Sequence, residues 1–459
     1  MAVVAAVMLA GAPVSVFAQS FKEALAAAYE NNPTMQAARA QLRATDEQVP
    51  QARSNYGPTA VINGNLDRQW VNQTSAFFGT TGNQSAQHTG VSGVRNPRGA
   101  QVIISEPLYR GGRTQAENER AENSVKAGRA QLTSTEQSVL LTAGTSYLDV
   151  YRDQAVLDLN ISNEQVLTRQ LEETQEQFKV GVVTQTDVSQ AQARLAQAKA
   201  ARIQAEGTLN SSRAAFRNVT GISPGKLDSP DTGLGGLPGT SDEAIAASAQ
   251  NPNVIAAGFN ELAARNDVDL NFGELLPTLS LNGEYDRNED TLSFDSSVED
   301  ESISAQLSVP IYPGAAVYSR VRQAKQTVQQ RRDEIEQATR DAAQQAAQAY
   351  EALTTAQAQV KSFEAQIKAN EIALSGVRQE ATVGTRTVLD ILNAEQELLN
   401  SKVSKVTADH DAWVAMLQLK TAIGQLTAQS LDLPVRYYDV EQHYQDVHDK
   451  FWGTGEDIR

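Results

Sequence analysis

Side chains able to do covalent or metal chemistry are sparse in this 459-residue chain. There is no cysteine, which removes a thiolate nucleophile, a Cys-ligated zinc, a disulfide framework and an acylated N-terminal cysteine. The histidines, His88, His410, His443 and His448, form no His-x-x-x-His or His-Glu pairing, so no metal site is expected. No recognisable motif places a nucleophile beside a base or one carboxylate beside another, so neither an enzyme nor a cofactor is expected. What the chain does repeat is a turn. Val180-Gly-Val-Val-Thr-Gln-Thr-Asp-Val188 and Val383-Gly-Thr-Arg-Thr-Val-Leu-Asp-Ile391 each set a glycine ahead of threonines and an aspartate. Gly181 and Gly384 suit the positive backbone angle that ends a helix. Asp187 and Asp390 suit the first turn of the next helix, where a carboxylate stabilises the N-terminal end of the dipole.

The charge balance narrows the partners. Lys+Arg 39 against Asp+Glu 55 leaves a net charge of −16, whereas a nucleic acid or an anionic lipid surface demands a positive field. A mean hydropathy of −0.40, with no mid-chain apolar run near ~18 residues, excludes a helical membrane protein. The exception is residues 1–18, MAVVAAVMLAGAPVSVFA, an uncharged stretch with small residues at Val16 and Ala18 before Gln19. It reads as a secretory signal peptide, although no Lys or Arg stands near its start.

Both turns belong to a larger duplication. Asn31-Asn32-Pro33 is matched by Gln250-Asn251-Pro252 and Pro58 by Pro277, a separation of 219 residues (252 against 33). Pro107-Leu108-Tyr109-Arg110-Gly111 is matched by Pro310-Ile311-Tyr312-Pro313-Gly314 at 203 residues (310 against 107), and that offset then holds through Tyr147/Tyr350, Gly181/Gly384, Leu195/Leu398 and Gly221/Gly424. A register kept this long is expected of helices of equal length. The chain therefore divides into the leader 1–18, a first structural repeat 19–222, a Gly/Pro/Ser-rich linker 223–240, a second repeat 241–425 and a C-terminal tail 426–459.

Each repeat changes period along its length. Residues 21–53 and 241–274 read as helices. Beyond Pro58 the period becomes two: Ala60, Ile62, Leu66 and Trp70 alternate with Asn63, Asn65, Asp67 and Gln69, Leu279, Leu281 and Tyr285 with Ser280, Asn282 and Glu284, and Ile303, Ala305, Leu307 and Val309 with serines and Gln306. Ala100, Val102 and Ile104 repeat this more weakly. Four strands, apolar on one face and small-polar on the other, match the ~10-residue dyad pattern of an outer-membrane β-barrel, and a soluble sheet with one wet face shares it. Residues 71–89 and 287–300 read as solvated loops. Residues 111–181 and 314–384 contain no proline and as single helices would each reach roughly 105 Å. In the first, the heptad seam Leu140, Ala143, Tyr147, Val150, Gln154, Leu157, Ile161, Glu164, Thr168, Leu171 and Phe178 supports a coiled coil. Shorter helices, 184–220 and 387–424, return after the turns. Helices 21–53 and 184–220 stacked end to end match the long helix between them, giving antiparallel hairpins in each repeat.

Four strands cannot close a barrel, since closed membrane barrels start at about eight. Unpaired edges in lipid would strand backbone groups, so several chains must share one barrel.

With its duplicated Pro107-Leu-Tyr-Arg-Gly-Gly112 and Pro310-Ile-Tyr-Pro-Gly314 segments and its two turns, the chain resembles the TolC family of trimeric outer-membrane channel-tunnels over essentially all of its mature length. The resemblance implies a mixed α+β, mostly α fold, with long antiparallel helical hairpins forming an α-barrel and four strands per chain contributed to a β-barrel. It implies a homotrimer with a twelve-stranded barrel among outer-membrane lipid and a tunnel in the periplasm, met there by a periplasmic adaptor (membrane fusion protein) and an inner-membrane transporter. It places Asp390 in an acidic ring at the pore entrance, where converging carboxylates would bind multivalent cations. A second ring position, one turn on, is Asn393, which cannot ionise. Arg386 would link to Thr186 or Asp187 of the neighbouring helix pair and hold the entrance shut, while the tyrosine latch of the family is Ala381 here and its glutamine partner is Glu176. Val180, Gly181, Val182, Val383, Gly384 and Thr385 would meet the adaptor.

The rival is a structural periplasmic coiled-coil adaptor without a membrane barrel, which leaves the alternating strands unexplained. The tail 434–459, with Tyr437, Tyr438, Tyr444, Phe451 and Trp452, resembles tails of members that serve type I protein secretion, and reads equally as a packing strap. Small-molecule efflux and type I secretion both remain open as cargo, with the tail leaning toward secretion.

Overall fold

The computed structural model describes residues 20–77, 87–230, 235–291, 293 and 295–454. The expected signal peptide lies outside the described residues, as do parts of the expected loops 71–89 and 287–300. Packing groups the chain into two units: residues 1–43, 126–258 and 333–440 form one, and residues 44–125, 259–332 and 441–459 the other.

The helix expected over 21–53 is three helices, α1 (Phe21–Asn31), α2 (Pro33–Asp46) and α3 (Gln48–Arg53). The first break follows from chemistry. A residue before proline is pushed out of the helical region, and Asn32 sits at φ −68°, ψ 124°. Its side chain uses the break: Oδ1 accepts from Thr34 N–H at 2.9 Å and Nδ2 donates to Val219 O at 2.9 Å. The second repeat copies the joint. There α6 (Ser241–Ala247) and α7 (Pro252–Gly273) flank Asn251, whose Oδ1 accepts from Asn253 N–H at 3.0 Å and whose Nδ2 donates to Ala422 O at 3.0 Å.

The long helices are α4 (Arg113–Lys179, 67 residues) and α8 (Ala315–Thr382, 68 residues), and their antiparallel returns are α5 (Gln185–Thr220) and α9 (Val388–Ala422). The seam of α4 follows the expected residues only at its start: Leu140, Ala143, Tyr147 and Val150 are buried. Farther on the buried residues are Asp153, Asn160, Leu167 and Thr174, spaced by seven and set one position before Gln154, Ile161 and Thr168, while Phe178 is 42% exposed. A strict seven-residue repeat keeps one stripe facing one neighbour. Polar members fit because they bond locally: Asn160 Nδ2 donates to Val156 O at 2.8 Å and Thr174 Oγ1 to Gln170 O at 2.7 Å.

The first unit's main core gathers Phe21, Leu25, Tyr29 and Met35 with Leu140, Tyr147, Phe216, Leu417 and Leu426. Tyr147 stacks edge-on against Phe21 at 5.3 Å and donates its hydroxyl to Asp228 O at 2.9 Å. Tyr350 repeats the device toward Gly239 O at 2.8 Å, beside a smaller cluster of Ala244, Ala346, Leu353 and Leu419. The tail straps this unit, with Arg39 between the rings of Tyr29 and Tyr438.

The second unit holds an antiparallel sheet of β1 (Thr59–Leu66), β4 (Arg98–Arg110), β5 (Thr278–Glu289) and β6 (Ser297–Ser308), in the order β1-β4-β5-β6. Register aligns Ile62 with Val102 and Tyr285 on one face, and Ile104 with Gly283 and Ile303 beside them. That face is left open to the outside: Ile62 is 78% and Ile303 86% exposed. The other face carries a polar ladder, in which Ser105 Oγ donates to Asn282 Oδ1 at 2.7 Å and Gln101 Nε2 to Glu284 Oε1 at 2.5 Å. The described part of the expected loop 71–89 is strand, since β2 (Gln69–Phe77) and β3 (Gln87–Arg95) pair antiparallel as a separate two-stranded sheet. Gly, Ser, Thr and Asn interrupt the hydrophobic alternation here, and the register sets Trp70 opposite Val94. The second expected loop shrinks to the turn between Glu289 and Ser297, in which Asp290 and Asp295 take positive φ of 59° and 57°. A final helix, α10 (Gln442–His448), packs Tyr444 against Val49, Ala52, Ala121 and Val125.

Candidate pore entrance at the helical turns

Both turns lie in the first unit and use the same two devices. After α4, Gly181 takes φ +79°, and Val182 N–H donates to Gln177 O at 2.9 Å, closing the helix end as glycine allows. α5 then opens on Thr184. Its N–H and Oγ1–H both donate to Asp187 Oδ2, at 2.9 and 2.7 Å, and Asp187 N–H returns a bond to Thr184 Oγ1 at 3.3 Å. The second hairpin repeats each step. Gly384 takes φ +82°, Thr385 N–H donates to Glu380 O at 3.1 Å, Thr387 N–H and Oγ1–H donate to Asp390 Oδ2, both at 2.9 Å, and Asp390 N–H donates to Thr387 Oγ1 at 3.3 Å. The Thr-x-x-Asp spacing makes both caps.

Asp187 and Asp390 are therefore helix caps. In each, the side-chain bonds converge on Oδ2, and Oδ1 has no hydrogen-bond partner among the described residues. The backbone N–H of Thr387, then its hydroxyl, and the charge of Arg386 hold the Asp390 carboxyl below the usual carboxylate range. The Thr184 hydroxyl and N–H do the same for Asp187. Each turn thus presents a carboxylate that stays ionised at neutral pH with an oxygen to spare.

Arg386 is engaged differently from the expected link to Thr186 or Asp187. Its Nε donates to Glu380 Oε2 at 2.8 Å, inside its own hairpin. The reason is local: Thr385 N–H and Oγ1–H both fasten to Glu380 O, and this brings the Glu380 carboxylate beside the turn. Glu176 pairs with Lys179 at 2.7 Å. Thr186 is exposed, and Val180, Val182 and Val383 are 76%, 71% and 74% exposed around the exposed Gly181, Gly384 and Thr385. The two turns thus hold three valines in solvent, two on the first and one on the second.

One residue that sequence reasoning missed joins the two hairpins. Arg194 of α5 donates from Nη2 to Asn393 Oδ1 of α9 at 3.0 Å. Near it Leu167, Ala191, Leu195 and Ala198 of the first hairpin pack with Val388 and Leu392 of the second. The available signal was spacing: Arg194 is the first basic residue of α5, seven positions after Asp187, hence on the same helical face. Asn393 thus serves as an acceptor between hairpins. Inside the hairpins, Arg202 Nε meets Glu164 Oε2 at 2.7 Å, and Arg378 pairs with the buried Glu395.

Comparison with known proteins agrees with this architecture. The model of the family described as outer membrane efflux protein matches residues 24–222 and 245–425. The chain is 31% identical to the outer membrane efflux protein BepC of Brucella suis, over 98% of this chain and 96% of that one. It is 27% identical to the outer membrane protein TolC of Vibrio cholerae, over 91% and 93%, and 25% identical to the alkaline protease secretion protein AprF of Pseudomonas aeruginosa, over 88% and 84%. Solved structures share the fold: the outer membrane protein VceC of Vibrio cholerae, 19% identical, superposes with a TM-score of 0.73 over 88% of this chain and 96% of that one. The Campylobacter jejuni CmeC outer membrane channel, 16% identical, does so at 0.75 over 94% and 89%. The chain belongs to the outer membrane efflux protein family, the TolC-like ducts, and is an exit duct of the outer membrane that extends into the periplasm.

Proposed function

We propose that three copies of the chain form the duct, with the turns 180–187 and 383–393 as its periplasmic entrance, and that it passes cargo delivered by an inner-membrane transporter through a periplasmic adaptor without catalysing a reaction. The observation that carries the trimer is the sheet: β1 and β6 are edges without a further strand partner among the described residues, and its apolar face is exposed. Lipid tolerates such a sheet only when its edges are closed by further strands. Three copies of the four-stranded sheet give twelve.

At the entrance, three Asp390 carboxylates would stand around one pore, each with a free oxygen beyond its cap bond. The bond between Arg194 and Asn393 would replace the latch missing at Ala381 and Glu176, with Arg386 bracing the second turn through Glu380. Val180, Gly181, Val182, Val383, Gly384 and Thr385 would receive the adaptor. An efflux protein and a protease secretion protein are both among the relatives, and the inner-membrane partner selects between such cargos. The aromatic tail, with Phe451 and Trp452 exposed, favours protein secretion.

The test is removal of the gene from its source bacterium, with secreted proteins and dye retention scored in the same cells. Loss of one or a few large secreted proteins with normal dye retention marks a secretion outlet, and the reverse marks an efflux outlet. No change in either contradicts the duct.

A further inference from the structure

A second polar joint between the hairpins lies away from the turns, and no sequence motif pointed to it. His410 of α9 has a side chain only 10% exposed, with Nδ1 3.0 Å from Asp411 Oδ1 on its own helix and Nε2 3.0 Å from Asp149 Oδ1 on α4. Arg152 of α4 stands behind Asp149, 3.0 Å from its Oδ1 and 2.8 Å from Asp153 Oδ1. Asp153 in turn accepts from Ser212 of α5. The charged groups acting on the ring are thus Asp149 and Arg152 from α4 and Asp411 from α9, while α5 reaches α4 beside them through Ser212 on Asp153 and Arg213 on Gln154. The two helices run close here: a Cβ on Gly144 of α4 would stand 2.7 Å from Leu417 Cδ1 of α9.

The geometry itself selects a protonation state. Neutral imidazole has one N–H. With a carboxylate oxygen 3.0 Å from each ring nitrogen, either neutral tautomer turns a lone pair toward an anion. Only imidazolium offers a proton to both. The Nε2 approach is off the line of a directional hydrogen bond, so charge rather than alignment holds it. Burial opposes that charge, yet the neighbouring Asp149 and Asp411 carboxylates outweigh it and hold His410 above its ordinary range, while His410 holds Asp149 below its own.

We propose that His410 is a proton-controlled positioning residue: protonated, it ties the second hairpin to the first through Asp149 and favours the closed duct, and on losing its proton it releases them. This rests on the reading of the hairpins as the duct entrance. A raised folded-state value means that the tie is complete below the ordinary histidine range, about pH 6.5, and is lost as pH climbs past that raised value. Periplasmic acidity would then be read directly by the hairpins.

The test is single-channel conductance of purified wild-type trimers in planar bilayers between about pH 6 and about pH 9. Conductance is expected to step upward with rising pH. His410→Gln is expected to sit at the high level throughout, and Asp149→Asn to move the step to lower pH. Should His410→Gln fail to form trimers, Asp411→Asn at the exposed side of the joint carries the test, again with a step at lower pH. His88, His443 and His448 remain in every variant, and Asp390 titrates in the acid range, so neither mimics the result. A step whose midpoint is the same in wild type, Asp149→Asn and Asp411→Asn overturns the proposal, as does a wild type without a step. If Asp390→Asn abolishes cation block while the step survives in His410→Gln, the entrance stands and the His410 joint falls.

Discussion

Asp390 does two jobs with two oxygens. Oδ2 receives both Thr387 bonds and starts α9, and Oδ1 is left for a cation. Asp390→Asn keeps an amide oxygen for the cap and removes the charge, so it should weaken block by trivalent cations at least ~10-fold, about what loss of a charge-assisted contact costs, with little change in thermal stability. Block measured in bilayers as strong as in wild type would remove Asp390 from the pore. Because Asp390 is held below the usual carboxylate range, block should persist down to about pH 4 and fade only as pH drops through the lowered value. The bond between Arg194 and Asn393 makes a separate prediction. Arg194→Ala should raise the open fraction about 5-fold, the equivalent of ~1 kcal/mol. Asn393→Asp, which turns the hydrogen bond into an ion pair, should lower it, and only when Arg194 is present. Equal effects of Asn393→Asp with and without Arg194 would mean that the two residues do not act together.

At the scale of the element, punctuation decides what a sequence reveals. Prolines and glycines mark the ends of α4, α5, α8 and α9 to within a few residues, and the proline-free runs declare their length. The joints at Asn32-Pro33 and Asn251-Pro252 were visible as a repeat but not as helix breaks, because each is held by one local side-chain bond and one to backbone far along the chain, at Val219 and Ala422. Asn251→Ala should cost about 1–3 kcal/mol by leaving the Ala422 carbonyl and Asn253 N–H unpaired, seen as a lowered Tm of the trimer. An unchanged Tm would show that water replaces both bonds. The flank of α4 that is buried was not legible, since Asp153, Asn160 and Thr174 are polar: Asn160 and Thr174 win their place by bonds within the helix, and Asp153 by bonds to Arg152 and to Ser212 of α5. Arg194 and His410 were missed for a related reason: each matters through a partner on another helix, and spacing along one helix does not name it. A bulky residue at Gly384 should abolish adaptor cross-linking, with trimers intact if the surface is the contact and lost if the turn itself has failed.

At the scale of the whole molecule, the duplicated repeat supplies two turns, two Asn-Pro joints and two strand pairs, yet among the described residues the sheet of one chain is open at β1 and β6. The fold class and the family were readable from alternation, proline-free length and the two turns. The β2–β3 pairing was not, because Gly, Ser, Thr and Asn interrupt the alternation after Trp70. The absence of cysteine gives a clean way to test the closure. Ile62→Cys on β1 would be combined in turn with Ser302→Cys, Ile303→Cys and Ser304→Cys on β6, and outer membranes would be oxidised and run without reductant. Shared-barrel closure predicts, for at least one pair, dimers and trimers with no larger species. A chain that stays monomeric in all three, or a ladder that climbs past three, would contradict a duct built from three copies.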